Sequence, residues 1–251
     1  MIVPSMTLPE IHSELQKDIE DIQPSVDYKM KQFGSVVLKA HRYPVQRRYS
    51  FKSKTRRNSF HARLTAFKRG YWNKPAVHVY CIYSRPEGLH CAFLDILHQV
   101  SIIFPPHFFS RYRERIIRDD ALSTEELIHL FSSRTWAISF QPLSPEMEDL
   151  LRKWRDYPKD VEVPIVAFCP DGMLFGQRTG NVTLVKTIVS PSMLYPNQLP
   201  LYESLRDCYH RRLREYYPKE EAEWLIGLEG ELKDEKGHQT SGSNLHNEIN
   251  R

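Results

Sequence analysis

The sequence has no aspartate or glutamate between Tyr28 and Pro86. That stretch holds 15 of the 35 Lys and Arg residues, which leaves 20 basic residues against 31 acidic ones elsewhere. The net charge of +4 hides this division. So many like charges repel one another unless a counter-charge is near. The phosphate backbone of a nucleic acid is the usual counter-charge. The cysteines are few: Cys81, Cys91, Cys169 and Cys208, with no C-x-x-C pair. They read as reduced, mostly buried thiols. A zinc set of His78, Cys81, His90 and Cys91 can be drawn, but its spacing fits no compact knuckle. Alternation along two strands accounts for those residues better, and no metal is expected.

Other absences exclude whole classes of function. No apolar run approaches the length of a membrane span, about 20 residues, so no membrane partner is expected. Met1 to Leu15 contains His12 and Glu14 and lacks the basic end and apolar stretch of a secretory leader, so the expected location is cytoplasmic. There is no glycine-rich phosphate loop, no nucleophile elbow and no H-E-x-x-H helix. These absences set aside nucleotide hydrolysis, esterase chemistry and zinc proteolysis. No dinucleotide fingerprint is present, and no cofactor is expected. No internal repeat is visible.

What remains is an ordinary globular composition, 251 residues with 41% hydrophobic and 12% aromatic. It supports one sizeable core or two small ones, and a monomer or a dimer equally. Pro9 to Ile22 has helical spacing in Ile11, Leu15, Ile19 and Ile22, and Pro24 is expected to stop that helix. Residues 33 to 104 read as strands, with near-alternation over Phe60–Phe67, Val77–Tyr83, Cys91–Leu97 and Val100–Phe104. Pro105-Pro106 opens a helix over His107–Arg118. Ser123-Thr-Glu-Glu126 is a capping box that starts another helix, through Phe131. Ser144-Pro145 caps a third, with Met147, Leu150, Leu151 and Trp154 on one side. Val163–Phe168, Met173–Gly176 and Val182–Val189 form an antiparallel three-stranded meander across the turns Pro170-Asp171-Gly172 and Thr179-Gly180-Asn181. Leu199–Leu228 is helical and broken near Pro218. The expected fold class is therefore α+β. Residues 1–104 form a helix and a basic β-rich region, 105–229 carry helices, meander and candidate site packed with it, and 230–251 a disordered tail.

Within the basic stretch, Arg47, Arg48, Lys52, Lys54, Arg56, Arg57, Arg63, Lys68 and Arg69 are candidate nucleic-acid contacts. Tyr43, Tyr49, Phe51, Phe60, Phe67, Tyr71 and Trp72 interleave them, and such rings can stack on unpaired bases. RNA is the expected partner, with DNA as the alternative. The competing reading is that the basic face lies against the acidic remainder of the same chain, with about half of those rings facing the core.

The segment 107–118 can carry chemistry. Successive helical residues turn by about 100°. With His107 as the origin, Arg118 falls at about 20°, Arg111 at about 40° and Arg115 at about 80°. Phe108, Phe109, Tyr112 and Ile116 lie between about 100° and about 200° and pack inward. A histidine beside arginines suits phosphodiester cleavage. The histidine exchanges a proton near neutral pH, and arginine holds the phosphate and stabilises its growing charge. The plain alternative is a solvated face, with the arginines paired to Glu114, Asp119 and Asp120.

PHFFSRYRER at 106–115, the hairpin PDGMLFG at 170–176 and VTLVKTIVS at 182–190 together resemble the barnase/EndoU/colicin/RelE-like class of ribonucleases, in its phage and mobile-element version. The similarity covers about residues 75–195. The resemblance implies a metal-independent endoribonuclease with His107 as general acid or base. It implies that Arg111 and Arg115 hold the scissile phosphate and that Thr187 on the last strand orients it. The implied products are a 2′,3′-cyclic phosphate and a 5′-hydroxyl. EndoU-type members use a second histidine, and none lies at an obvious matching position; His98 and His129 are the candidates, with nothing in the sequence to support either. The chain is also longer than many toxins of the class, so the basic region before residue 86 would be an added substrate-binding part. The alternative is a non-catalytic RNA- or DNA-binding protein, or one that docks an acidic protein partner. Nothing in the sequence specifies an inhibitor protein.

Overall fold

The computed structural model describes residues 2–96, 99–142 and 162–229. Its first element, α1, runs over Leu8–Lys39 and passes through Pro24. The proline rule ends this helix at Pro24, and the strand pattern begins at residue 33. Both expectations are corrected. Ile11, Leu15, Ile19, Ile22, Val26, Phe33 and Val37 are all buried at helical spacing. A proline inside a helix costs about 3 kcal/mol, and each fully buried aliphatic or aromatic side chain returns about 1.5–3 kcal/mol. Three such side chains beyond Pro24 outweigh the break. At the other end Thr7 donates its N–H to the Glu10 carboxylate at 2.7 Å and fixes the start of the helix.

A nine-stranded sheet follows among the described residues. β1 (Val45–Lys52), β2 (Ser59–Ala66), β3 (Ala76–Arg85), β4 (Gly88–Asp95) and β5 (Val100–Phe104) form one antiparallel meander. β6 (Ser139–Pro142), β7 (Val163–Cys169), β8 (Gly172–Thr179) and β9 (Val182–Val189) form a second. The three expected C-terminal strands are thus joined by a fourth. The order is β1-β2-β3-β4-β5-β9-β8-β7-β6, and the two meanders meet where β5 pairs parallel with β9. Helices lie on both faces of this one sheet, and the fold is α+β.

Period-2 alternation sorts the strand residues between the faces. Phe60, Ala62, Val79, Cys81, Ala92, Leu94 and Ile103 pack under α1. Tyr80, Ile82, Cys91, Phe93 and Phe104 point the other way, against α2 (Pro106–Tyr112) and α3 (Thr124–Arg134). The same alternation splits the zinc set that the sequence allows. Cys81 lies with the α1 face and Cys91 with the α2–α3 face. Among the described residues, no group of three or more His, Cys, Asp and Glu is placed to hold a metal ion. On the second meander Val166, Phe168 and Met173 pack under α4 (Leu199–Tyr216) and α5 (Lys219–Gly227), through Tyr202, Leu205 and Tyr209. None of the described helices is long and apolar enough to cross a membrane.

The helix expected over His107–Arg118 is α-helical only to Tyr112. Arg113–Ile117 makes one wide π-helical turn, and Arg118 ends it in the left-handed region at φ 57°. The wide turn lets both Ile116 and Ile117 touch the core. It takes Arg118 off the stripe that the helical angles assign to it. α3 starts where its capping box requires: Ser123 Oγ accepts from the Glu126 N–H at 3.2 Å, and the Ser123 N–H donates to Glu126 at 2.7 Å. The helix expected from Ser144 and the tail from 230 lie outside the described residues.

Candidate functional site

Register lines up the strands at one end of the sheet. Lys52, Ser59, Ile82, Cys91 and Phe104 form a single row across β1–β5. Beyond that row lie the β1–β2 turn with Lys54 and Arg57, the β3–β4 turn with Glu87, and His107 at the start of α2. β9 runs parallel to β5, so Thr187 comes to the same end. Four interstrand steps separate Lys52 from Phe104, about 19 Å.

α2 crosses over the top of β5. At its start Pro106 abuts Gly88, which sits at φ +127°, so any side chain at that glycine would be strained as well as crowded. His107 is exposed there and makes no hydrogen bond or ion pair among the described residues. Next to it His90 is 4% exposed, with Nδ1 3.2 Å from the Gly88 carbonyl and Nε2 3.4 Å from Glu87. Burial pushes the His90 pKa down, the Gly88 carbonyl and Glu87 oppose this, and Arg85 and His107 add to it. At the other end of the segment, Arg115 donates from Nη1 to the Ile188 carbonyl at 2.8 Å and to Thr187 Oγ1 at 3.2 Å. The Arg115 Nε is buried and without a partner.

Two of the four residues assigned to catalysis, Arg115 and Thr187, are therefore in contact across 72 residues of sequence. His107 and Arg111 do not join them. Arg111 is exposed and pairs with Glu114 at 2.7 Å. His107 lies in the first turn of α2, whereas Arg115 lies in the wide turn beyond its end.

The basic set divides in the same way. Arg48, Lys52, Lys54, Arg57 and Arg69 are exposed, and their side chains make no hydrogen bond or ion pair among the described residues. Arg47 is half-buried and donates to the Gln46 carbonyl. Arg56 is held by Glu14 at 3.1 Å and Asp18 at 3.4 Å, and Lys68 by Glu221 at 3.3 Å. Arg63 is corrected outright as a surface contact. It is 4% exposed, donates to the Ser132 carbonyl and lies 4.1 Å over the Trp136 ring. Of the interleaved rings only Trp72 is open to solvent, at 47%. Tyr43, Tyr49, Phe51, Phe60, Phe67 and Tyr71 are buried or half-buried in the cores.

Sequence reasoning missed a second cluster, on the face of β1–β3 beside α3. Ser50 Oγ lies 2.9 Å from His61 Nδ1. The His61 ring stacks on Tyr80 at 5.1 Å and meets His129 edge-on at 4.9 Å. Tyr80 Oη is 2.8 Å from His129 Nδ1. Burial, reinforced by Arg48, holds His61 down to about 4 and His129 to about 3. The signal was alternation along β1 and β2, which only the hairpin register converts into neighbours. His98, the other spare histidine, lies outside the described residues. No protein-family model, curated protein or solved structure matches this chain.

Proposed function

We propose that this protein binds nucleic acid along the end of the sheet that runs from the β1–β2 turn to α2. The observation that supports this reading is the set of exposed cations without acidic partners, with Lys52, Lys54 and Arg57 at that end, Arg48 midway along β1 and Arg69 past the far end of β2, in a stretch of sequence with no carboxylate. The competing self-neutralisation accounts for Arg56 and Lys68 and leaves these five. RNA is favoured over DNA because a second reading, ribonuclease, has its own support. The resemblance to the barnase/EndoU/colicin/RelE-like class assigns joint work to an arginine and a strand threonine, and Arg115 and Thr187 touch.

In that reading His107 moves the proton to or from the 2′-hydroxyl or the leaving oxygen, and Arg111 and Arg115 hold the phosphate. For this Arg111 must leave Glu114, an exposed ion pair worth under about 1 kcal/mol, and the bound RNA must span the gap between His107 and Arg115, which are apart in this structure. Incubation of wild type and His107→Ala with total RNA in EDTA tests the pair of readings. Cleavage by wild type alone, leaving cyclic phosphates, is expected of the nuclease. Gel shifts by both without cleavage would make the chain a binding module. Absence of any shift near physiological salt would sink both readings and leave an acidic protein as the partner.

A further inference from the structure

Directly opposed residues on one face of an antiparallel pair have Cβ atoms about 4.5–5.5 Å apart, and like charges placed so are unfavourable. On the face of β1 and β2 that looks toward α3, Arg48 is opposite Arg63 and Ser50 opposite His61. Arg63 is buried, which lowers its pKa to about 9, and the Trp136 ring lies 4.1 Å from its guanidinium. Its polar contacts are the Ser132 carbonyl and His78 Nδ1, and neither carries a negative charge. Arg48 is exposed, and its side chain has no hydrogen-bond or ion-pair partner among the described residues. The acids that face this cluster are Glu125, 3.6 Å from His129 Nε2 and largely exposed, and Glu126, which acts on His129 from the same turn of α3. Two arginines and the histidines 61, 78 and 129 thus meet around Tyr80, with two exposed carboxylates, Glu125 and Glu126, at the margin among the described residues.

We propose that Arg48, Ser50, His61 and His129 form an anion site on the face of β1–β2 beside α3, suited to the tetrahedral oxygens of a phosphate group. Arg48, His61 and His129 each have a donor to give, and Ser50 fixes the His61 ring. The Arg48 guanidinium presents a fork that engages two oxygens at once. When the Ser50 hydroxyl donates to His61 Nδ1, and Tyr80 to His129 Nδ1, both Nε2 atoms carry hydrogen and become donors. The bound anion supplies the charge that Arg48 and Arg63 lack. It also favours the protonated imidazoles. This site is separate from His107 and stands whether or not the chain cuts RNA.

The test follows the imidazole resonances of His61 and His129 in the full chain by NMR at constant ionic strength. Inorganic phosphate is titrated in one arm and a short single-stranded RNA in the other, with acetate as the control anion. Saturable shifts of both rings with phosphate are expected. Arg48→Gln should weaken them about tenfold or more, the scale of one lost charge-assisted hydrogen bond. Arg211→Gln, an exposed arginine on α4, should leave them unchanged. Shifts with RNA at far lower concentration than with phosphate assign the site to a nucleic-acid backbone. Shifts with phosphate and none with RNA assign it to a free phosphate or small phosphoester, and keep the proposal even if nucleic-acid binding fails. Rings that neither phosphate nor RNA moves, or that acetate moves equally, overturn it.

Discussion

Asp171 shows how a turn residue becomes structural once buried. It is 6% exposed, accepts from Tyr112 Oη at 2.6 Å and from Arg134 Nε at 2.7 Å, while Arg134 Nη2 donates to the Leu228 carbonyl at 2.7 Å. The turn after β7 is thereby tied to α2, α3 and the end of α5. Asp171→Ala takes the carboxylate from a buried guanidinium and should cost about 3–5 kcal/mol in urea unfolding. The histidines make a second residue-scale prediction. His61 and His129 are held to about 4 and 3, and His12, His78 and His90 are lowered as well, burial being the largest cause in each. Their unfolded pKa is near 6.5, so the unfolded chain binds protons that the folded one refuses. Stability should be full above about pH 6.5 and fall as pH drops towards 4. Thermal midpoints at pH 7 and pH 5 check this, and a midpoint that rises on acidification would contradict it.

At the scale of elements, α1 is the case where a local rule lost to packing. The residue rule for proline was right about its cost and wrong about the outcome, because the buried stripe continues through Val26, Phe33 and Val37. Pro24→Ala should raise stability by about 2 kcal/mol, the ~3 kcal/mol helix penalty less the ~1 kcal/mol that proline gains by restricting the unfolded chain. The β7–β8 turn obeys its local rule. Gly172 has φ +153°, and a Cβ there would run into the Val189 carbonyl oxygen of β9. Gly172→Ala should therefore destabilise the second meander by about 1–3 kcal/mol, read as a lowered denaturant midpoint.

For the whole molecule the decisive property is where unneutralised charge collects. A pair of reversals in the β1–β2 turn, Lys54→Glu with Arg57→Glu, should weaken RNA binding. It should also flatten the slope of log K against log salt by about 2, one unit per lost phosphate contact. The same reversal at Arg56 should act chiefly on stability, because Arg56 is already held by Glu14 and Asp18. An unchanged slope in the Lys54/Arg57 variant would move the binding surface elsewhere.

Much of this was readable in the order of residues. Period 2 located β2 to β5 and β7 to β9, the Ser123 box placed α3, and the gap in acidic residues marked the basic half. These are local signals, carried by neighbours in the chain. What tertiary structure decided were the partnerships: that β5 pairs parallel with β9, that Arg115 lies on Thr187 while His107 stands apart, that Arg63 is buried, and that Arg48, Ser50, His61 and His129 share one face. Alternation names two faces for every strand but not which strand lies beside it, and a shift of one residue in register would exchange them. Burial of apolar surface under α1 and α3 selects the register, and with it the neighbours that make a site.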